Sequence, residues 1–163
     1  MQDDLRQGFA EVRPGLEFEF RVRAKLGAPV EQGTWEDRRR RIIPILGGTV
    51  EGARFKGIVL PGGADWQTVR VSDGSAQIYA RYTLQHEDGA VVGVINPGVR
   101  RGPPEVMARL AKGEAVDPSS YYFRTTPQFD AGPGPHQWLT DNAFVCVGKR
   151  WPDAVEIDFY RVL

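Results

Sequence analysis

The 163-residue chain has one cysteine, two histidines and no net charge, its 21 Lys and Arg being matched by 21 Asp and Glu. A single cysteine excludes an intramolecular disulfide. Cys146 lies in the apolar run Phe144-Val145-Cys146-Val147 with no activating histidine or helix start beside it, so it reads as a core residue rather than a catalytic thiol. So few histidines and cysteines leave a conventional zinc site without donors, and no metal is expected. With neither sign of charge in excess, no overall field draws the chain to nucleic acid or anionic lipid. No apolar run approaches the roughly 20 residues of a membrane helix. Met1-Gln2-Asp3-Asp4-Leu5-Arg6 is too polar for a signal peptide, which makes the cytoplasm the expected location. There is no Walker loop, Gly-x-Ser-x-Gly elbow, dinucleotide-binding glycine motif or His-Glu-x-x-His pair. Any chemistry is therefore expected to be acid–base work by side chains, without a cofactor.

What the sequence does contain is a β pattern. Hydrophobic residues at 41% and charged residues at 26% suit one globular domain over 1–163. Leu16, Phe18, Phe20 and Val22 alternate with Glu17, Glu19, Arg21 and Arg23, the period of a strand with one dry face. Gly27 to Asp37 reads as a loop with Trp35 as a plug. The basic run Arg38-Arg39-Arg40-Arg41 leads straight into Ile42-Ile43-Pro44-Ile45-Leu46, so it reads as the start or rim of a strand rather than a nucleic-acid patch. Gly47-Gly48 marks a bulge or sharp bend. Asp73-Gly74 and Asp88-Gly89 supply hairpin turns around strands at Gln77 to Gln85 and Ala90 to Asn96. Further extended segments run over 55–60, 65–70, 119–126, 138–150 and 155–162. The one helical segment is Pro103 to Lys112, where Val106, Met107 and Leu110 fall at helical spacing. The sum is an all-β fold of about seven to nine strands and one short peripheral helix, a barrel or sandwich.

Candidate chemistry centres on the strand Gln77-Ile78-Tyr79-Ala80-Arg81-Tyr82-Thr83-Leu84. One face shows Ile78, Ala80, Tyr82 and Leu84, the other Gln77, Tyr79, Arg81 and Thr83. From this strand alone either face can look inward. If the polar one does, the interior holds a phenol, a guanidinium and a hydroxyl and forms a binding site. Asp65 and Trp66 follow the turn Pro61-Gly62-Gly63, where a carboxylate suits a general base and an indole suits stacking on a flat substrate. Asn96 ends a strand just before Arg100 and Arg101, and Tyr122 and Arg124 lie on another aromatic, cationic strand. An arginine flanked by aromatics is built to hold a carboxylate, enolate or phenolate, because its donor fork is fixed and always charged. His136, beside a Gly/Pro loop and close to Trp138, is a candidate lining residue, whereas His86 reads as an exposed turn residue.

Several blocks in sequence resemble the DUF3237 family, also called UPF0311. They are Arg41-Ile42-Ile43-Pro44-Ile45-Leu46-Gly47-Gly48, Leu60-Pro61-Gly62-Gly63-Ala64-Asp65-Trp66, Tyr79-Ala80-Arg81-Tyr82 after Asp73-Gly74, Phe123-Arg124-Thr125-Thr126-Pro127-Gln128-Phe129, and Trp138-Leu139 with Phe144-Val145. The resemblance spans 14–162. It departs from the family's Tyr-x-Trp-Leu-Asn at His136 and Thr140, which puts a pocket group near Trp138 in question. It implies a calycin-like antiparallel β-barrel, closed or nearly so, often oligomeric, with a central cavity. Some family members are similar to cofactor-independent cyclases that add an internal hydroxyl across an activated double bond. That reaction class, lyase, isomerase or cyclase, suits a small aromatic or conjugated oxygen-bearing substrate. It assigns Asp65 as base, Tyr79 as acid, Arg81 and Arg124 as anion stabilisers and Trp66 and Trp138 as stacking walls. Arg41, Asn96, Tyr122 and His136 complete the substrate-contacting set. The expected partners are a small molecule and further copies of the chain, with neither nucleic acid nor membrane. The same residues also serve a carrier barrel that binds without turnover.

Overall fold

The computed structural model describes residues 10–163, so the polar segment Met1 to Arg6 lies outside the described residues. Among the described residues eleven strands form one sheet: β1 (Leu16–Leu26), β2 (Val30–Trp35), β3 (Arg38–Gly52), β4 (Gly57–Val59), β5 (Gly63–Arg70), β6 (Ala76–His86), β7 (Val91–Arg101), β8 (Tyr122–Thr125), β9 (Gln128–Asp130), β10 (Phe144–Arg150) and β11 (Ala154–Val162). Eight of them close on themselves as an antiparallel barrel in the order β1-β3-β5-β6-β7-β8-β10-β11 and back to β1. β2, β4 and β9 are additions to this ring, on β3, between β3 and β6, and on β7 respectively. The helix α1 (Pro104–Ala111) buries Met107 and Leu110 against the barrel and exposes its charged side. Among the described residues no helix is long and apolar enough to cross a membrane.

Local sequence accounts for the closure. β3 is the longest strand and must serve four neighbours: its first half pairs with β2 and β5, up to Ile45, and its second half with β1 and β4. The bend falls at Gly47-Gly48. A Cβ on Gly48 would lie 2.0 Å from the Arg23 carbonyl oxygen of β1, so only glycine permits that approach.

Two expected features come out differently. The dry face of β1 is not a continuous row from Leu16. A register shift between Phe18 and Phe20 buries Glu19, which takes a 2.8 Å hydrogen bond from Arg161 Nε, and leaves Leu16 and Phe18 exposed. The segment expected as a loop before Asp37 contains the edge strand β2, and Trp35 is no plug: it is 55% exposed, with the Arg40 guanidinium 5.5 Å from its ring centre. On a strand paired along one side only, alternation need not be marked, because neither face is sealed.

The interior has two zones along the barrel axis. One is a dry aromatic layer: Phe20 stacks on Phe159 at 4.6 Å, Phe55 lies 5.6 Å from Phe20, and Phe129 meets Phe144 edge-on at 5.0 Å. Beyond it the same strands carry smaller or polar inward residues, namely Val22 and Ala24 on β1, Ile78, Ala80 and Tyr82 on β6, and Val155 and Ile157 on β11. A cavity opens there.

Candidate active site

The period of two decides which groups reach the cavity. On β6 the inward row is Ile78, Ala80, Tyr82 and Leu84, all buried, so the central strand turns its apolar face in. Tyr79 is half exposed on the outer face, beside Trp66, Pro97 and Val99, and Arg81 is exposed next to Trp66. Arg124 is exposed as well; it and Arg101 flank the Tyr122 ring at 5.1 and 4.6 Å on the outer wall. The side chains of Tyr79, Arg81, Arg124, Trp66 and Tyr122, expected in the catalytic and substrate-contacting set, thus lie on the outer wall and do not line the cavity. Trp138 is also remote, held under the Arg54 guanidinium at 3.8 Å and packed on Phe144. His136 is buried at another place, on Asp88.

Three of the expected residues do come together. Asp65 and Asn96 line the cavity, and Arg41 reaches it through Gln67. Asp65 is 8% exposed and points inward from β5. Its Oδ2 accepts a 2.6 Å hydrogen bond from Gln67 Nε2 and its Oδ1 a 2.9 Å bond from the backbone N–H of Tyr79. Tyr79 therefore does serve the site, through its amide rather than its phenol. Gln67 accepts from Arg41 Nε and Nη2 at 3.1 and 2.9 Å, which fixes the amide orientation and links guanidinium to carboxylate.

Two further arginines, Arg100 and Arg150, close the polar end. Arg100 follows Asn96 on the inward side of β7 and is 6% exposed. Arg150 ends the inward row of β10, its Nη1 donating to the carbonyls of Trp151 and Ala154 at 2.6 and 3.0 Å. Opposite lie Tyr82, whose hydroxyl accepts from Asn96 Nδ2 at 3.2 Å, and Thr125. Glycine makes room here too: a Cβ on Gly148 would fall 1.9 Å from the ring of Phe123, which forms part of the cavity wall.

The electrostatics are unbalanced towards positive charge. Burial pushes the Asp65 carboxyl above its ordinary value, although Gln67, the Tyr79 amide, Arg100 and Arg41 each pull it down. Burial and repulsion from Arg150 and Arg41 lower Arg100 to about 10, so it still carries its charge at neutral pH. Arg150 and Arg41 are lowered for the same kinds of reason. Burial raises the Tyr82 phenol well above its ordinary range, so it acts as a neutral hydrogen-bonding group. Arg100 and Arg150 thus share the cavity wall with one carboxylate, with Arg41 behind Gln67 as a third guanidinium and no other charged group in the lining. Arg100 Nε, Asn96 Oδ1 and Thr125 Oγ1 are buried without a protein partner. Each such atom costs about 1–3 kcal/mol unless something in the cavity satisfies it.

Sequence reading missed Gln67, Tyr82, Arg100, Thr125 and Arg150. The signal for Arg100 was its spacing of four from Asn96, which puts both on one face; Pro97-Gly98 between them obscured the strand.

The model of the family described as "Protein of unknown function (DUF3237)" matches residues 14–162. The chain belongs to this family. Among DUF3237 relatives, the UPF0311 protein RPA1785 of Rhodopseudomonas palustris is 43% identical over 152 residues, 92% of this chain and 99% of that one. Its crystal structure superposes with a TM-score of 0.88 at 41% identity, covering 94% of this chain and all of the other. A β-barrel-like protein of Acinetobacter baumannii gives a TM-score of 0.82 at 39% identity over 95% of this chain and 99% of that one. More distantly, an enzyme from Penicillium herquei shares the fold with a TM-score of 0.69 at 20% identity over 96% of this chain and 99% of the other. The DUF3237 barrel therefore persists where little of the sequence does.

Proposed function

We propose that the barrel is an acid–base enzyme of the lyase, isomerase or cyclase kind. It acts on a small conjugated, oxygen-bearing substrate whose oxygen becomes anionic in the cavity. The observation that carries this reading is the one carboxylate in the cavity lining, Asp65, buried and with a raised pKa among three buried or half-buried guanidiniums. A carboxylate shifted towards neutrality is a better base than an exposed one, because proton transfer works best when the catalytic pKa approaches the working pH. Pre-positioned cations with little access to water stabilise charge that develops on an enone or carbonyl oxygen. A distant barrel of the same fold, from Penicillium herquei, is described as an enzyme, which is in keeping with this.

For an intramolecular hydroalkoxylation the steps balance within the substrate and Asp65. The Asp65 carboxylate removes the proton of the substrate hydroxyl, and that oxygen adds to the β-carbon of the conjugated system. The electron pair moves to the carbonyl oxygen as an enolate held by Arg100 and Arg150, with the Arg41 charge behind Gln67. The enolate α-carbon then takes the proton back from the Asp65 carboxyl. Tyr82, Asn96 and Thr125 supply the orienting hydrogen bonds. The test is cyclisation of an ortho-hydroxyaryl enone, followed by absorbance. Wild-type protein accelerates ring closure over the uncatalysed rate, and Asp65→Asn abolishes the acceleration while the probe still binds. Binding without acceleration by the wild type marks a carrier instead.

A further inference from the structure

We propose that His86, Asp88 and His136 form a binding site for one divalent transition ion of the zinc class, at the end of the barrel away from the cavity. The chain has two histidines in all, 50 positions apart, and the fold sets their rings 4.4 Å apart. One ring nitrogen from each and a carboxylate oxygen of Asp88 all lie within 4.8 Å of one another. Two imidazoles and a carboxylate are the donor set that zinc and its neighbours accept, with a position left for water.

The location follows from the strands. Tyr82 lines the cavity, Leu84 enters the aromatic layer, and His86 is the next inward position, roughly 13 Å along β6 from Tyr82 at about 3.3 Å per residue. Phe55 packs edge-on against both imidazoles, at 5.0 and 5.3 Å, and separates them from the cavity as an apolar floor. His86 and Asp88 come from the β6–β7 hairpin, His136 from the Gly/Pro loop before the short 3-10 turn Gln137–Leu139. An ion there ties a hairpin to a loop across the barrel end.

Hydrogen bonding within the cluster asks for a cation. Asp88 Oδ2 lies 2.7 Å from His136 Nε2, and Asp88 Oδ1 lies 3.1 Å from His86 Nδ1. That same Nδ1 accepts the backbone N–H of Asp88 at 3.1 Å. A ring nitrogen accepting an amide hydrogen has no proton for the carboxylate, so no hydrogen bond joins His86 Nδ1 to Asp88 Oδ1. Asp88 Oδ1 also accepts the Ala90 N–H at 2.8 Å, which holds the carboxylate in place. His136 is 6% exposed and its Nδ1 is buried without a partner. Donors around one zinc ion stand about 3.3 Å apart at bond lengths of about 2.0–2.2 Å. Closing the present spread to that distance requires side-chain rotation.

The test uses untagged full-length protein stripped with a chelator and titrated with zinc chloride, then with cobalt chloride. Calorimetry should find one ion per chain, and cobalt should give visible d–d absorption. The melting temperature should rise by about 5–10 °C with free zinc at about 100 times its Kd. His136 is buried and its replacement can disturb folding, so the partly exposed His86→Gln and Asp88→Asn carry the comparison, with far-UV circular dichroism confirming an intact barrel. Each should weaken binding by more than the roughly 10–100-fold expected for loss of an outer-shell partner. Absence of stoichiometric binding, or affinity unchanged in both variants, overturns the proposal.

Discussion

Gln67 donates to Asp65 Oδ2 at 2.6 Å while its own carbonyl oxygen is gripped by Arg41, so one neutral amide opposes the effect of burial on the carboxylate. Because this bond favours the charged form, Gln67→Leu should raise the Asp65 pKa further. A carboxyl carbon-13 titration of Asp65 in wild type and variant measures this. An unchanged or lowered midpoint would show that Gln67 does not hold the carboxylate.

Linkage gives a pH signature. The native pKa of Asp65 is raised from 3.8, so its contribution to stability is fully present below that value and is lost as pH rises through the native value. Melting temperatures of wild type and Asp65→Asn across pH isolate the effect. The difference, wild type minus variant, should fall from about pH 4 upward and level off above the native pKa. A difference that grows with pH would have the wrong sign.

Arginines facing in and out should separate cleanly. Arg100→Met removes a buried cation and the charged hydrogen bonds it would give a bound anion, which should weaken binding of a phenolate or carboxylate probe by about 10- to 100-fold. Arg81→Met and Arg124→Met alter exposed groups and should change it by less than about 2-fold. Fluorescence or calorimetric titration with one probe decides. Equal losses in all three variants would mean that the probe sits outside the barrel.

Gly148→Ala places a methyl group 1.9 Å from the Phe123 ring, between β10 and β8. The expected cost is about 1–3 kcal/mol in urea unfolding, with a distorted cavity wall and weaker probe binding. Gly132→Ala meets nothing within 4 Å and serves as the control.

Much of the barrel was legible because alternation and the Asp-Gly turns are local signals: β6 and the hairpin at Asp88-Gly89 fall where the pattern put them, and β7 starts there but runs on past Asn96 to Arg101. The register shift before Phe20 was not legible, since Glu19 is buried by a partner, Arg161, 142 positions away. Asp65 was found by its place after a glycine turn. Arg100 and Arg150 were missed because their burial depends on barrel closure, and the aromatic and cationic character of Tyr79, Arg81, Tyr122 and Arg124 drew attention to what proved to be the outer wall. Which face of a strand looks inward is set by the opposite side of the sheet, not by the strand itself.

The central claim, that Asp65 among Arg41, Arg100 and Arg150 performs acid–base chemistry, is tested most directly by the pH–rate profile of ortho-hydroxyaryl enone cyclisation. The account predicts acceleration over background with an acidic limb above the ordinary carboxylate range, lost in Asp65→Asn and shifted upward in Arg100→Met. Acceleration that survives in Asp65→Asn with an unaltered pH profile would contradict it.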